Sequence, residues 1–278
     1  MTETATIAPA PEPEPAPPAE PAAPAPCAGR RRVLRAVARW TCAVLAFAGA
    51  AAGTAHYVTG KERADLPGLA TEDDGRWDFP PVRLPALPAS RPGPFAGSNP
   101  AHIHHADLRT LLLPAPKGAE AVKGLPGRGG WLSLTDFTKL YDEDDRADLA
   151  GPLREAGLRH IAATGWTMPD GTRTRIYLLR FGGEPAATDA ANSLYGLSDP
   201  LPGDARLAQT DKTWTEDGVR DKVAREVFDE EAPVGDVHLR FAALRAGDVV
   251  GLVVQETEGV SEAVPFHQTV ILQSRLLD

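Results

Sequence analysis

The sequence predicts an α+β fold: a duplicated helix-hairpin-helix domain with an antiparallel sheet, preceded by one transmembrane helix and a disordered tail and linker. Three observations predict it. Residues 40–58 carry no Asp, Glu, Lys or Arg. The 27 prolines are concentrated in the first hundred positions. Two strand-turn-strand patterns, each followed by a helical one, recur about 77 positions apart in the second half of the chain. The organisation that follows is a tail over 1–39, a span over 40–58, a linker over 59–100 and a folded domain over 101–278.

Composition excludes several classes. The net charge of −9 argues against a nucleic-acid protein held by phosphate contacts. The two cysteines, Cys27 and Cys42, both precede the folded domain, so neither a disulfide framework nor a thiolate zinc site is available to it. Residues 1–26 hold nine prolines, four glutamates and no Lys or Arg. Such a segment has almost nothing to bury, and a disordered tail with polyproline-II bias is expected.

Charge then switches. Arg30, Arg31, Arg32, Arg35 and Arg39 lie within ten positions with no acid among them. The apolar run follows at once, with Trp40 and Tyr57 near its ends, where amphipathic rings prefer the interface. Cations concentrated on the amino-terminal flank predict that flank in the cytoplasm and the remainder outside. A single-pass anchor in membrane lipid is the expectation. A cleaved export signal is the alternative, because small residues over 49–55 resemble a signal-peptidase site and 30–35 loosely resembles a twin-arginine motif. Gly49 and Gly53 have the small-xxx-small spacing that lets two membrane helices approach, which makes a homodimer through this helix a candidate.

Residues 61–100 carry eight prolines and no periodic apolar pattern, and read as a linker in which Trp77 and Phe79 are the residues that would dock onto the folded part. The domain then opens. Ser133-Leu134-Thr135-Asp136 has the form of a helix start, and a second helix is expected over 144–156 with Gly157 as its stop and Pro152 as a break or kink. Strands over 158–168 and 172–181 flank the turn Pro169-Asp170-Gly171, and a helix follows over 186–197.

The order then recurs: strands over 237–245 and 249–256 around Ala246-Gly247-Asp248, then a closing helix over 262–277 with Pro265 in its first turn. The same shift lays 144–156 on 221–231, where Val219, Val223, Ala224, Val227 and Phe228 make a helical stripe, although Val and Phe also suit a strand. The pseudo-repeats are thus about 133–198 and 210–277, with their helices expected on one face of the sheet.

Candidate chemistry is sparse. His102, His104 and His105, with Asp107 two positions on, offer imidazole and carboxylate donors of the kind that Zn, Ni or Cu would take. On that reading the chain is a metal-dependent exported enzyme. The plain alternative is a set of surface or helix-entry histidines ahead of the apolar run Leu111-Leu112-Leu113. His160, His238 and His267 are isolated and read as packed or surface histidines. The acids Asp142, Glu143, Asp144, Asp145 and Asp148 fail as a calcium loop: its third position would be Arg146, and its sixth, which needs glycine, would be Leu149. They suit a helix N-terminus instead. No G-x-S-x-G elbow, S-x-x-K, Walker A or G-x-G-x-x-G segment occurs, so a nucleophilic hydrolase or a nucleotide-binding protein has no sequence support.

The Pro/Ala-rich tail, the arginine cluster, the Ala-rich helix and the segment 107–118 together resemble membrane-anchored or exported proteins of high-GC Gram-positive (actinobacterial) bacteria, a group with no assigned activity. The repeated hairpin-helix half is distantly similar to the duplicated α+β ectodomains of ligand sensors and lipoproteins of that group. That resemblance implies an extracytoplasmic fold and carries over no functional residue. The expectation is a non-catalytic cell-surface module that binds an envelope or protein ligand and uses no cofactor.

Overall fold

The computed structural model describes residues 28–59, 74–195, 209–216, 221–230 and 236–278. The tail through position 27 and the linker over 60–73 lie outside the described residues. The chain divides into two compact units, Met1–Glu72 and Asp73–Asp278.

In the first unit a single helix, α1 (Ala28–Thr59), begins well before the uncharged run and carries the arginine cluster within its own first turns. Its apolar stretch is Val33–Thr54, 22 residues, or about 33 Å of helix rise. That is long enough to cross a bilayer, and a signal sequence near an N-terminus has the same character. Thr41 and Thr54 donate their hydroxyls back to the carbonyls of Val37 and Ala50 at 2.9 and 2.8 Å, so the helix satisfies these polar atoms internally.

The second unit is one seven-stranded antiparallel sheet covered on both faces. Its strands are β1 (Glu120–Ala121), β2 (His160–Thr167), β3 (Arg173–Arg180), β4 (Gln209–Thr210), β5 (Ala224–Asp229), β6 (Val237–Ala246) and β7 (Val249–Glu258), in the spatial order β1-β2-β3-β7-β6-β5-β4. The two expected hairpins are present. The first turn is closed by Met168 N–H to the Thr172 carbonyl at 2.8 Å, with Gly171 at φ +87° and the Asp170 carboxylate accepting from Thr172 N–H. The hairpins join edge to edge through β3 and β7, with Ile176 opposite Val253. Those two residues are 77 positions apart, the same interval as the spacing of the two hairpins in the sequence.

The helices do not follow that symmetry. On one face lie α2 (Leu134–Thr138), α3 (Asp145–Glu155) and α4 (Glu184–Tyr195). Phe137, Leu153, Ala190 and Leu194 pack there against Tyr177, Leu179, Leu252 and Val254 of the sheet. The opposite face is covered by α5 (Ala263–Leu277) and by irregular chain over 76–113. Phe266, Val270, Leu276 and Leu277 meet Ile176, Leu178, Val249 and Val253 on that side. Successive residues of β3 alternate between the two clusters because strand side chains do. Each fully buried Leu or Phe contributes about 1.5–3 kcal/mol relative to exposure.

Three expectations are corrected. Helices cover both faces of the sheet rather than one. Residues 224–229 form a strand and not the helix of a second repeat: Val227 enters the α5-side core while Phe228 stacks on Phe241 at 4.5 Å toward the other side. The period there is two, because the edge of β6 offers backbone partners that a helix would leave unpaired. Finally, the second compact unit starts at Asp73, and residues 74–100 belong to it. Trp77, Phe79, Val82 and Phe95 pack on the α5-side core.

Helix starts and stops are as the local chemistry dictates. The Ser133 side chain accepts from Asp136 N–H at 3.0 Å to cap α2, and Gly157, at φ +77°, follows the end of α3. The α3 helix continues through Pro152 to Glu155.

Candidate functional site

Three of the four residues of the expected metal cluster, His102, His104 and Asp107, are directed to separate partners. His102 sits at φ +49° and turns its Nδ1 to Glu184 Oε2, 2.6 Å away at the start of α4. Its carbonyl lies where a Cβ on Gly247 would stand, 2.1 Å from it, so the β6–β7 turn accepts only glycine at that position. His104 is buried. Its Nδ1 faces Asp248 Oδ1 at 2.6 Å and its Nε2 faces the Leu277 carbonyl at 2.8 Å, so both ring nitrogens are spent. Asp107 caps the short 3-10 turn Leu108–Leu111 and holds Arg109 through both of its oxygens. The hydrogen bond from Arg109 keeps the Asp107 carboxyl below the usual carboxylate value. His105 borders a surface concavity. Among the described residues no group of three or more His, Cys, Asp or Glu is arranged around a point that a metal ion could occupy.

What His104 does instead is fasten. Asp248, fully buried in the turn between β6 and β7, also accepts from His104 N–H at 2.8 Å and from Arg180 Nε at 3.1 Å. Arg180 in turn donates to the His104 carbonyl. One carboxylate therefore ties irregular chain at 104 to a strand end, a hairpin turn and, through the ring, the last turn of α5. A buried charge set this complete stabilises mainly because removing one member leaves the others unpaired.

A second buried polar hub lies on the same face, near the other end of α5. Asp211 Oδ2 receives Arg240 Nη1 at 3.0 Å and faces His267 Nε2 at 2.6 Å, while Oδ1 receives the Thr213 amide and hydroxyl. Burial would raise the Asp211 carboxyl, but the Thr213 and His267 hydrogen bonds outweigh it and hold the group below its usual value. Arg240 continues to Asp229 at 2.9 Å and to the Ser261 carbonyl, and His238 bridges Asp229 and the Ser261 amide. His238 and His267 are thus packed histidines, and His160 is exposed and stacked on Trp131 at 4.4 Å.

The concave surface runs where the irregular chain crosses α5, and one of its hollows is bordered by His104 and His105. Gln268 fixes the crossing by donating to the Trp77 carbonyl and accepting from its amide, both at 2.9 Å. Gln273, wholly buried, likewise holds the Leu113 amide and the Leu111 carbonyl. Three adjoining hollows result. One of 370 Å³ lies beside Arg76, Val264 and Ile271, and one of 530 Å³ lies beside Trp77, Phe79 and Pro81. The third, 150 Å³, is walled by Leu84, Leu87, Pro94, Ala106, Leu111 and Leu277. The first two share Gln268, Leu272 and Arg275, and the last two share Leu84.

Sequence reasoning missed Asp248, Arg180, Gln268, Gln273 and Arg275. Asp248 carried a turn signal and Arg180 a strand one, but nothing in their spacing linked either to position 104. In the first unit, Gly49 and Gly53 lie four positions apart on α1, with no atom within 4 Å of an added Cβ. No family profile matches the chain, and no curated protein or solved structure is significantly similar to it.

Proposed function

We propose that the chain is a membrane-tethered, non-catalytic binding module whose folded unit, Asp73–Asp278, works on the outer side of the cell membrane. The observation that carries this reading is α1: an apolar stretch, Val33–Thr54, preceded by arginines and followed by a compact unit with a complete core of its own. The buried histidines, carboxylates and guanidiniums of that unit support binding over chemistry, since their donors and acceptors are engaged in holding its segments together. Its concave surface lies between the irregular chain and α5, apolar in the hollow beside Leu84, Leu87 and Leu277 and mixed in the two beside Gln268 and Arg275. The envelope ligand is expected there.

Fractionation followed by amino-terminal sequencing of the mature protein tests the tether. The reading requires a product that retains α1 in the membrane fraction. A chain starting near position 55 and recovered from the medium would replace the tethered module with a secreted one.

A further inference from the structure

We infer that the irregular segment over 79–88 is itself a ligand: an exposed polyproline-II ridge, with Leu84 and Leu87 on its apolar edge, that docks in an aromatic-lined groove of a partner protein. The inference deepens the binding-module reading by naming the class of partner, and it rests on that reading for the unit's role in binding.

The first support is the backbone. Pro80, Pro81, Pro85 and Pro88 each fix φ at about −65°, and they hold the residues before them, Phe79, Leu84 and Leu87 among these, in extended conformations. Residues 80–87 form no helix, strand or turn. Their accessibility has a period of three: Phe79, Val82 and Pro85 are half-buried, and both residues after each of them are exposed. A polyproline-II helix has three residues per turn, whereas a strand has two and an α-helix 3.6. One edge of this three-sided ridge therefore rests on the folded unit, where Phe79 and Val82 pack on the α5-side core. The other two edges face outward.

The second support is what those edges present. One carries Pro81, Leu84 and Leu87, and the other carries Pro80, Arg83 and Ala86. Leu84 and Leu87 are 62% and 40% exposed and stand about 9 Å apart along such a helix. Each is followed by proline, so the same Leu-Pro wedge recurs at the helical period. The ridge borders the concave surface at the 150 Å³ hollow, whose other walls include Pro94, Leu111 and Leu277. A ring packed on the two leucines would meet further apolar surface there.

The third support is what the ridge leaves open. Residues 80–87 make no hydrogen bond among the described residues, so their carbonyls are free to accept from outside. Strand pairing is disfavoured, because prolines interrupt the row of N–H donors that a ladder needs. A groove of Trp and Tyr supplies the complement: flat faces for the Leu-Pro wedges, and ring N–H and O–H donors for the carbonyls. Docking a preformed ridge also costs little chain entropy. Arg83 is exposed and has no ion-pair partner among the described residues, which suits an acid at the rim of that groove. A second copy of the unit is a poor receptor. Trp131 is its one exposed aromatic among the described residues, and that ring already meets Arg109 at 4.7 Å and His160 at 4.4 Å.

The test is photo-cross-linking of the full chain in solubilised membranes of its native host. Benzoylphenylalanine is placed at Ala86 on the ridge and, as a control, at Val260, which is 70% exposed elsewhere. A protein adduct is expected from position 86 and not from position 260, with its attachment point mapped to a segment lined by Trp, Tyr or Phe. A synthetic peptide of residues 79–88 and poly-L-proline should both compete it away, and the same peptide carrying Pro85→Gly and Pro88→Gly should not. Leu84→Asp or Leu87→Asp in the chain should lower the yield by about tenfold. Thermal melts of the solubilised variants establish that both remain folded.

Absence of an adduct from position 86 overturns the proposal, as does an equal yield from position 260. Attachment to lipid, to a second copy of the chain or to a partner surface without aromatic residues overturns it too. So does equal competition by the glycine-bearing peptide, or a yield that neither leucine variant changes. None of these failures touches the membrane tether, which fractionation tests separately.

Discussion

The two faces of the sheet are closed in different ways. On one, three helices satisfy their own backbone groups and contribute almost only apolar side chains: Phe137, Leu153, Ala190 and Leu194. On the other, much of the cover is irregular chain, whose internal hydrogen bonds are short turns such as Asn99 N–H to the Ala96 carbonyl together with those of the buried Asn99 side chain, and which leaves further amides and carbonyls to be met from outside. There α5, the β6–β7 turn and the sheet supply them through Gln268, Gln273, Asp248 and Arg180, and His104 of the irregular chain reaches back to the Leu277 carbonyl of α5. The lesson is that an irregular cover over a core demands buried polar fasteners. The same irregularity leaves the hollows that a helix layer would fill.

Breaking the largest fastener should sharpen that contrast most. His104→Leu leaves Asp248 buried without one of its partners and should lower stability by about 4 kcal/mol in urea unfolding of Asp73–Asp278. A loss below about 1 kcal/mol would mean that the irregular cover does not depend on it. Gln273→Leu strands one buried amide and one buried carbonyl and should cost about 3 kcal/mol, with faster hydrogen exchange at Leu113 as its local signature. Next in size is an acid response. The folded Asp211 carboxyl lies below its unfolded value, so its contribution is present above that value, about pH 4, and is lost as pH falls through the folded one. Asp211→Asn should therefore flatten the acid limb of a stability–pH curve, and an unchanged limb would remove the hub from the account. The smallest effect belongs to the helix-covered face. The Tyr141 hydroxyl is buried there without a partner, and burial pushes its ionisation upward. Tyr141→Phe should leave stability at pH 7 unchanged or raise it by about 1 kcal/mol, since an orphaned polar atom is removed. A marked loss would show that this face also relies on polar ties.

The hairpins were legible because two cues coincide at each: alternation of apolar residues and a turn with a positive-φ glycine, Gly171 and Gly247. Their helices were legible from caps and 3.6-residue spacing. Residues 224–229 were not, because Val223, Val227 and Phe228 fit either period and only the free edge of β6 decides between them. The role of 74–100 was hidden for a different reason. A proline-rich segment signals no regular element, and Trp77 is held by a residue 191 positions away. His104 was conspicuous in the sequence, yet its partners stand at 248 and 277, beyond what spacing can reveal. The hollows beside α5 were invisible for the same reason, since they exist only where two distant segments cross.

The sidedness of the folded unit governs which ligands can reach it. A tag fused after Asp278 and probed with protease added to intact cells measures it directly. The tethered-module account predicts that the tag is digested without lysis. A tag protected in intact cells and cleaved only after lysis would place the unit in the cytoplasm and contradict the account.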